Sequence, residues 1–163
     1  MAILRPVRRS RPTELPLPGA YRRRGGAFLA ANSARQRNAT RVGVHVRRAD
    51  YASGYTVSPT DYFRSAMRYF TERYRHVEFI VCSDDIRWCR NNLPAAIDSG
   101  SAAQMRFSHG KSPEVDLAIL ARCDHVIMSV GSFGWRAAWL ANGTKHLLRR
   151  MAATVLSAQR TSQ

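Results

Sequence analysis

The sequence predicts an α/β domain built on a Rossmann-like parallel sheet, and three observations carry that reading. Short valine- and isoleucine-rich runs, such as 42–46 and 77–82, alternate with segments whose apolar residues recur at helical spacing. Two of the helical segments open on serine-proline followed by an acid, Ser58-Pro59-Thr60-Asp61 and Ser112-Pro113-Glu114. The length, 163 residues, suits one domain that buries roughly two thirds of its unfolded surface.

The elements follow in order. A short helix is expected over 26–37. Val42-Gly43-Val44-His45-Val46 reads as a strand. Ser58 is the expected N-cap and Pro59 the first residue of a helix that buries Tyr62, Phe63, Ala66, Met67, Phe70 and Tyr74. A second strand covers 77–82, and Ser83-Asp84-Asp85 caps a short helix ending near Asn92, before Pro94. A third strand is expected at 104–107, a helix from Ser112 to Arg122, a strand at 125–130, a helix at 133–141 and a last strand at 145–148. Such alternation gives βαβ units, whose ligands bind beyond the carboxyl ends of the strands.

Charge is unevenly placed. The net charge is +15, with an excess of +10 over residues 1–50, +2 over 51–145 and +3 over 146–163. The expected organisation is therefore a basic tail at 1–25, a folded domain at 26–148 and a basic tail at 149–163. Cys82, Cys89 and Cys123 are too few for a disulfide scaffold and wrongly spaced for zinc; a buried free thiol is expected at Cys82. No apolar run reaches the ~18 residues of a membrane span.

Four stretches can carry chemistry. In the first, strand alternation points His45 and Arg47 one way and Val44, Val46 and Arg48 the other. Two guanidiniums at a strand's carboxyl end suit a diphosphate, or else pair with acids such as Asp50; a lone His45 is a core histidine or a ligand contact. Gly131-Ser132 at a strand-to-helix junction is an anion site or a tight turn with an N-cap serine. Asp116, in a first helical turn, is a surface acid favoured by the helix dipole or an acceptor for the N–H groups of a guanine base. Asp84 and Asp85 cap a helix or hold a divalent cation; no third ligand is evident, so no metal is expected.

Three blocks in this order resemble the α1,2-fucosyltransferases (galactoside 2-α-L-fucosyltransferases). They are Val42 to Tyr51, Ser83 to Cys89, and Asp116 to His125 running on through Ile127 to Trp135. The resemblance covers about residues 26–145; Ala49 stands where the family usually has glycine. It implies the C-terminal, donor-binding half of a GT-B glycosyltransferase that is inverting, uses GDP-fucose and needs no metal or other cofactor. It also implies a galactose-terminated glycan acceptor, fucosylated at the 2-hydroxyl, and a place on the lumenal side of the Golgi membrane. His45 and Asp116 would face the guanine, Arg47 the β-phosphate with Arg48 beside it, and Gly131 and Ser132 the phosphates. Asp50 is the nearest carboxylate for a general base, beside Arg47 as the catalytic cation.

Family members are longer, with an N-terminal membrane anchor, so this chain is expected to be a fragment and its membrane contact to depend on an anchor it lacks. Asn38-Ala39-Thr40 and Asn142-Gly143-Thr144 fit the glycosylation sequon. The competing expectation is an Arg-rich nucleic-acid-binding module, supported by 24 arginines and Arg22-Arg23-Arg24-Gly25-Gly26. Placement of the excess charge in the tails argues against it, and no nucleic-acid partner is expected.

Overall fold

The computed structural model describes residues 17–31, 38–48, 59–97, 102–109, 112–129, 131–141 and 145–147. Asp50, Ser58, Val130, the second sequon and most of both expected tails lie outside them.

Five strands form one parallel sheet: β1 (Thr40–Val46), β2 (Val77–Ser83), β3 (Gln104–Phe107), β4 (His125–Met128) and β5 (Lys145–Leu147). Their order across the sheet is β3-β2-β1-β4-β5. The chain therefore builds outward from β1 on one side and then returns to build outward on the other. β1 is flanked on both edges and buried from Val42 to Val46, as its valine-rich run requires, with His45 the one polar side chain buried in it.

The helices are α1 (Gly19–Ala30), α2 (Thr60–Thr71), α3 (Ile86–Asn92), α4 (Pro113–Leu120) and α5 (Ser132–Leu140). Alternation along β1 divides its side chains between two layers. Val42, Val44 and Val46 join Phe79 and Val81 under α2 and α3, where Phe63, Met67, Phe70 and Cys89 are buried. Each large apolar side chain buried in this layer contributes about 1.5–3 kcal/mol. On the opposite face Ile80 and Cys82 pack with Leu29 of α1, Leu117, Ile119 and Leu120 of α4, and Ala137 and Leu140 of α5.

Several expectations shift. The first helix lies over Gly19–Ala30 and not 26–37, so Arg22, Arg23 and Arg24 belong to a folded helix and not to a tail. Leu29 anchors it by packing in the layer that holds α4. At α2 Pro59, in extended conformation, occupies the N-cap position and not the first helical one. At α4 the expected device is present: Ser112 accepts from the backbone N–H of Val115, and Pro113 follows. β2 runs on to take in Ser83, leaving Asp85 alone to cap α3 by accepting the N–H of Trp88 at 3.0 Å. All three cysteines are buried free thiols. Among the described residues no helix is long and apolar enough to cross a membrane.

Candidate functional site

The strand order reverses between β1 and β4, and the crevice beyond their carboxyl ends is where a sheet of this type binds ligands. Hydrogen bonds hold the two strand ends together there. The backbone N–H of Ser129 donates to the carbonyl of His45 at 3.0 Å, and Ser129 Oγ accepts the backbone N–H of Arg47 at 2.8 Å. From the opposite layer Tyr62 donates its hydroxyl to the carbonyl of Met128 at 2.8 Å. Arg47 thus leaves the sheet from a fixed backbone, and a third of its side chain is exposed.

The two arginines have different surroundings. Asp84 braces both: its Oδ2 stands 3.2 Å from an Arg47 guanidinium nitrogen, and its Oδ1 accepts the backbone N–H of Arg48 at 2.9 Å. The guanidinium of Arg48 lies 3.9 Å over the Trp88 ring, with Nε 3.8 Å from Asp85. It is engaged on α3, the face that strand alternation assigned to it, and not beside His45. Among the described residues Asp84 and Asp85 meet these arginines; Asp50 lies outside the described residues.

His45 is buried, 5% exposed, under the first turn of α5, with its ring 5.0 Å from that of Phe133. Among the described residues its Nδ1 has no hydrogen-bond partner. Burial pushes the imidazole down to about 4; the Asp84 carboxylate opposes this and the Arg47 guanidinium adds to it. The ring is therefore neutral at physiological pH.

At the end of β4, Gly131 takes φ +102° and ψ 157°, a conformation open to glycine and strained for other residues. It is the N-cap of α5, so Ser132 is the first helical residue and not the capping serine that the sequence suggested. Among the described residues no side chain caps α5. The first-turn N–H groups and the helix dipole are left to the crevice, beside exposed Gly131 and Ser132.

Asp116 is the second correction to the site residues. It is buried, 8% exposed, and not a surface acid. Burial pushes its carboxyl up to about 6, while hydrogen bonds from Ser108 and Cys82 and the charge of His109 act the other way. Cys82 stands opposite His45 in the strand register, so Asp116 lies one strand over from the imidazole, on the same layer. Ser108, His109, Ser129 and Trp88 were not singled out from the sequence. Ser129 fell inside the run 125–130 expected as a strand, which ends at Met128, so no local signal set it apart. Among the described residues no group of three His, Cys, Asp or Glu side chains is placed to hold a metal ion.

Glycosyl transferase family 11 matches residues 27–160. The chain belongs to that family. It is 40% identical over 121 residues to galactoside alpha-(1,2)-fucosyltransferase 1 of Saimiri sciureus, covering 71% of this chain and 32% of that one. It is 40% identical over 112 residues to the protein of the same name from Alouatta belzebul, covering 64% and 30%. The chain spans about a third of the length of these relatives. Solved structures of POFUT1 share the fold: the complex with GDP aligns with TM-score 0.56 at 13% identity, over 78% of this chain and 46% of that chain. The complex with GDP-fucose aligns with TM-score 0.54 at 13% identity, over 80% and 47%. The Rossmann-like α/β reading and the α1,2-fucosyltransferase resemblance both hold; the nucleic-acid reading finds no support in these matches.

Proposed function

We propose that the crevice at the β1–β4 reversal binds GDP-fucose, and that the whole protein transfers L-fucose with inversion to the 2-hydroxyl of a terminal β-galactoside. The observation that carries this is that the braced Arg47 and the uncapped start of α5 leave neighbouring strand ends, β1 and β4, at one strand-order reversal. The name shared by the relatives supplies the reaction class.

The chemistry follows from charge. Breaking the bond between fucose and the β-phosphate builds positive charge on the sugar and negative charge on the departing GDP. Arg47 and the first-turn N–H groups of α5 are set where that negative charge appears, a fixed cationic environment that needs no reorganisation as the bond breaks. Gly131 and Ser132 let the phosphates approach the helix start. Asp116, ionised above its value near 6, accepts the ring and exocyclic N–H groups of guanine, and His45 meets the same nucleotide as a neutral donor. Arg48 supports the site from behind, through Trp88 and Asp85. Asp50 is the proposed base that takes the acceptor's proton. The reading assigns charge neutralisation to Arg47 and α5 and calls for no metal ligand from this chain. The proposed donor domain covers 26–148, extended back by α1; the place of action is the lumenal side of the Golgi membrane.

The test is calorimetric titration of the purified chain with GDP, GMP and ATP, with Arg47→Ala alongside. The expected result is GDP-selective binding that the variant loses. A folded chain that binds ATP as well as GDP, or whose GDP affinity survives Arg47→Ala, would overturn it.

A further inference from the structure

His45 is the most constrained polar side chain of the crevice, and the constraint comes from α5. A Cβ built on Gly134 would stand 2.8 Å from His45 Nδ1 and 3.1 Å from Met128 Cβ. The hydrogen at that position of Gly134 therefore points at Nδ1, and only glycine leaves room for the ring. Phe133, one residue earlier, tilts its ring against the imidazole at 36°. Nδ1 is buried and has no conventional partner among the described residues. A proton on Nδ1 would be a buried donor without an acceptor, facing the positive end of a helix. A bare lone pair there meets instead a polarised Cα–H and the helix's favourable potential.

We propose that Phe133 and Gly134 are positioning residues that seat His45 as its Nε2–H tautomer, so that the imidazole reaches the nucleotide as a hydrogen-bond donor of fixed direction. Neither residue needs to touch the ligand through its side chain for this. The role deepens the donor-site reading above, and the ligand part of its test rests on that reading; the imidazole part does not. Alanine is the better helix former than glycine, so intrinsic propensity alone would make Gly134→Ala neutral or favourable. A loss of function in that variant reports the seat.

The first measurement is the nitrogen spectrum of the ligand-free chain labelled in histidine. Nδ1 of His45 should resonate as an unprotonated nitrogen and Nε2 as a protonated one. Gly134→Ala should shift both signals and weaken GDP binding at least ten-fold, while Trp135→Ala, on the exposed face of the same helix, should leave GDP affinity unchanged. In a His45→Ala background Gly134→Ala should cost no further affinity, because it acts through the ring. A protonated Nδ1 in the native chain overturns the proposal, as does a folded Gly134→Ala variant with native imidazole signals and native GDP affinity. An equal loss from Gly134→Ala with and without His45 would also overturn it. Should Gly134→Ala fail to fold, the native spectrum decides alone. If the native chain binds no GDP, the donor reading falls while the spectrum still judges the seat.

Discussion

The carboxylate of Asp84 stands 3.2 Å from the guanidinium of Arg47, and the same group accepts the backbone N–H of Arg48 at 2.9 Å. One acid at the end of β2 therefore sets both the side chain and the backbone at the end of β1. Its effect on stability should be small, because partly exposed ion pairs contribute about 0–1 kcal/mol. Its effect on binding should be larger, since an Arg47 freed from Asp84 must be ordered when the phosphate arrives, at about 0.5–1.5 kcal/mol. Asp84→Ala is expected to weaken GDP binding about two- to ten-fold with little change in melting temperature. Asp84→Asn, which keeps an acceptor for Arg48, should fall between. Tighter binding by Asp84→Ala would show that the carboxylate competes with phosphate for Arg47.

Asp116 and His45 titrate in opposite senses over one pH window. Asp116 is raised from 3.8 to about 6, so the folded state holds a proton that the unfolded chain has released, and its contribution falls as pH rises from about 4 to 6. His45 is lowered from 6.5 to about 4, so the unfolded chain holds the extra proton, and its contribution rises as pH goes from about 4 to 6.5. Each is on the order of 3 kcal/mol at full swing, and together they largely cancel. Asp116→Asn should therefore make stability climb more steeply with pH through this window than in the native chain. His45→Gln should make it climb less, or fall. Melting temperatures of the three proteins between pH 4 and 7 check this; parallel curves would show that neither group is shifted as stated.

If Asp116 faces the guanine as proposed, the same carboxyl sets the pH dependence of donor binding: the base's N–H groups would need it ionised, so GDP affinity should drop as pH falls below about 6. GDP-bound protein should hold Asp116 ionised to lower pH than free protein, and binding near pH 6 should release a proton. Titration at pH 6 in two buffers of different ionisation enthalpy measures that release; equal heats in both would contradict it.

β1, β2 and β4 were legible because they carry valine and isoleucine between recognisable helix starts, and β3 at Gln104–Phe107, which has no β-branched residue, still sits where expected. The first helix was misplaced because Arg22 to Arg24 read as a charged tail. What orders them is the packing of Leu29 in the α4 layer, which no local pattern announces. At the site, strand alternation separated Arg47 from Arg48 correctly, yet the described acids that meet them come from the junction between β2 and α3, 36 residues from Arg48 in the case of Asp84. Burial of Asp116 was invisible for the same reason. A first-turn acid looks solvated until β2 and the end of β3 are placed against it, bringing Cys82 and Ser108 to its carboxyl.

Arg48 and Trp88 should behave as one structural unit. Trp88→Leu keeps much of the apolar volume but removes the face on which the guanidinium rests, a contact worth about 0.5–2 kcal/mol. Arg48→Lys should cost a similar amount, because an ammonium cannot stack as the planar group does. The double variant should cost little more than either alone, a coupling that chemical denaturation of the four proteins reads directly. Strictly additive losses would mean that the stacked geometry contributes nothing.

Gly131 separates conformational need from packing need. Among the described residues no atom beyond its chain neighbours lies within 4 Å of where its Cβ would stand, so alanine meets no packing obstacle from them. Its φ of +102° with ψ of 157° is nevertheless a conformation that a side chain disfavours by about 1–3 kcal/mol. Gly131→Ala should therefore destabilise the chain by about that amount through the backbone alone. Relief of the strain would rotate the N–H groups at the start of α5 away from the crevice, so GDP affinity should fall with it. Ser132→Ala removes only an exposed hydroxyl that caps nothing in the free protein, and its stability should stay within about 0.5 kcal/mol of native. Its GDP affinity should fall only modestly, by the loss of one hydrogen bond. Denaturation midpoints and GDP titrations of the two variants provide the comparison. A Gly131→Ala protein as stable as Ser132→Ala would show that the junction relaxes without strain, and that the start of α5 is not held in the geometry that phosphate binding requires.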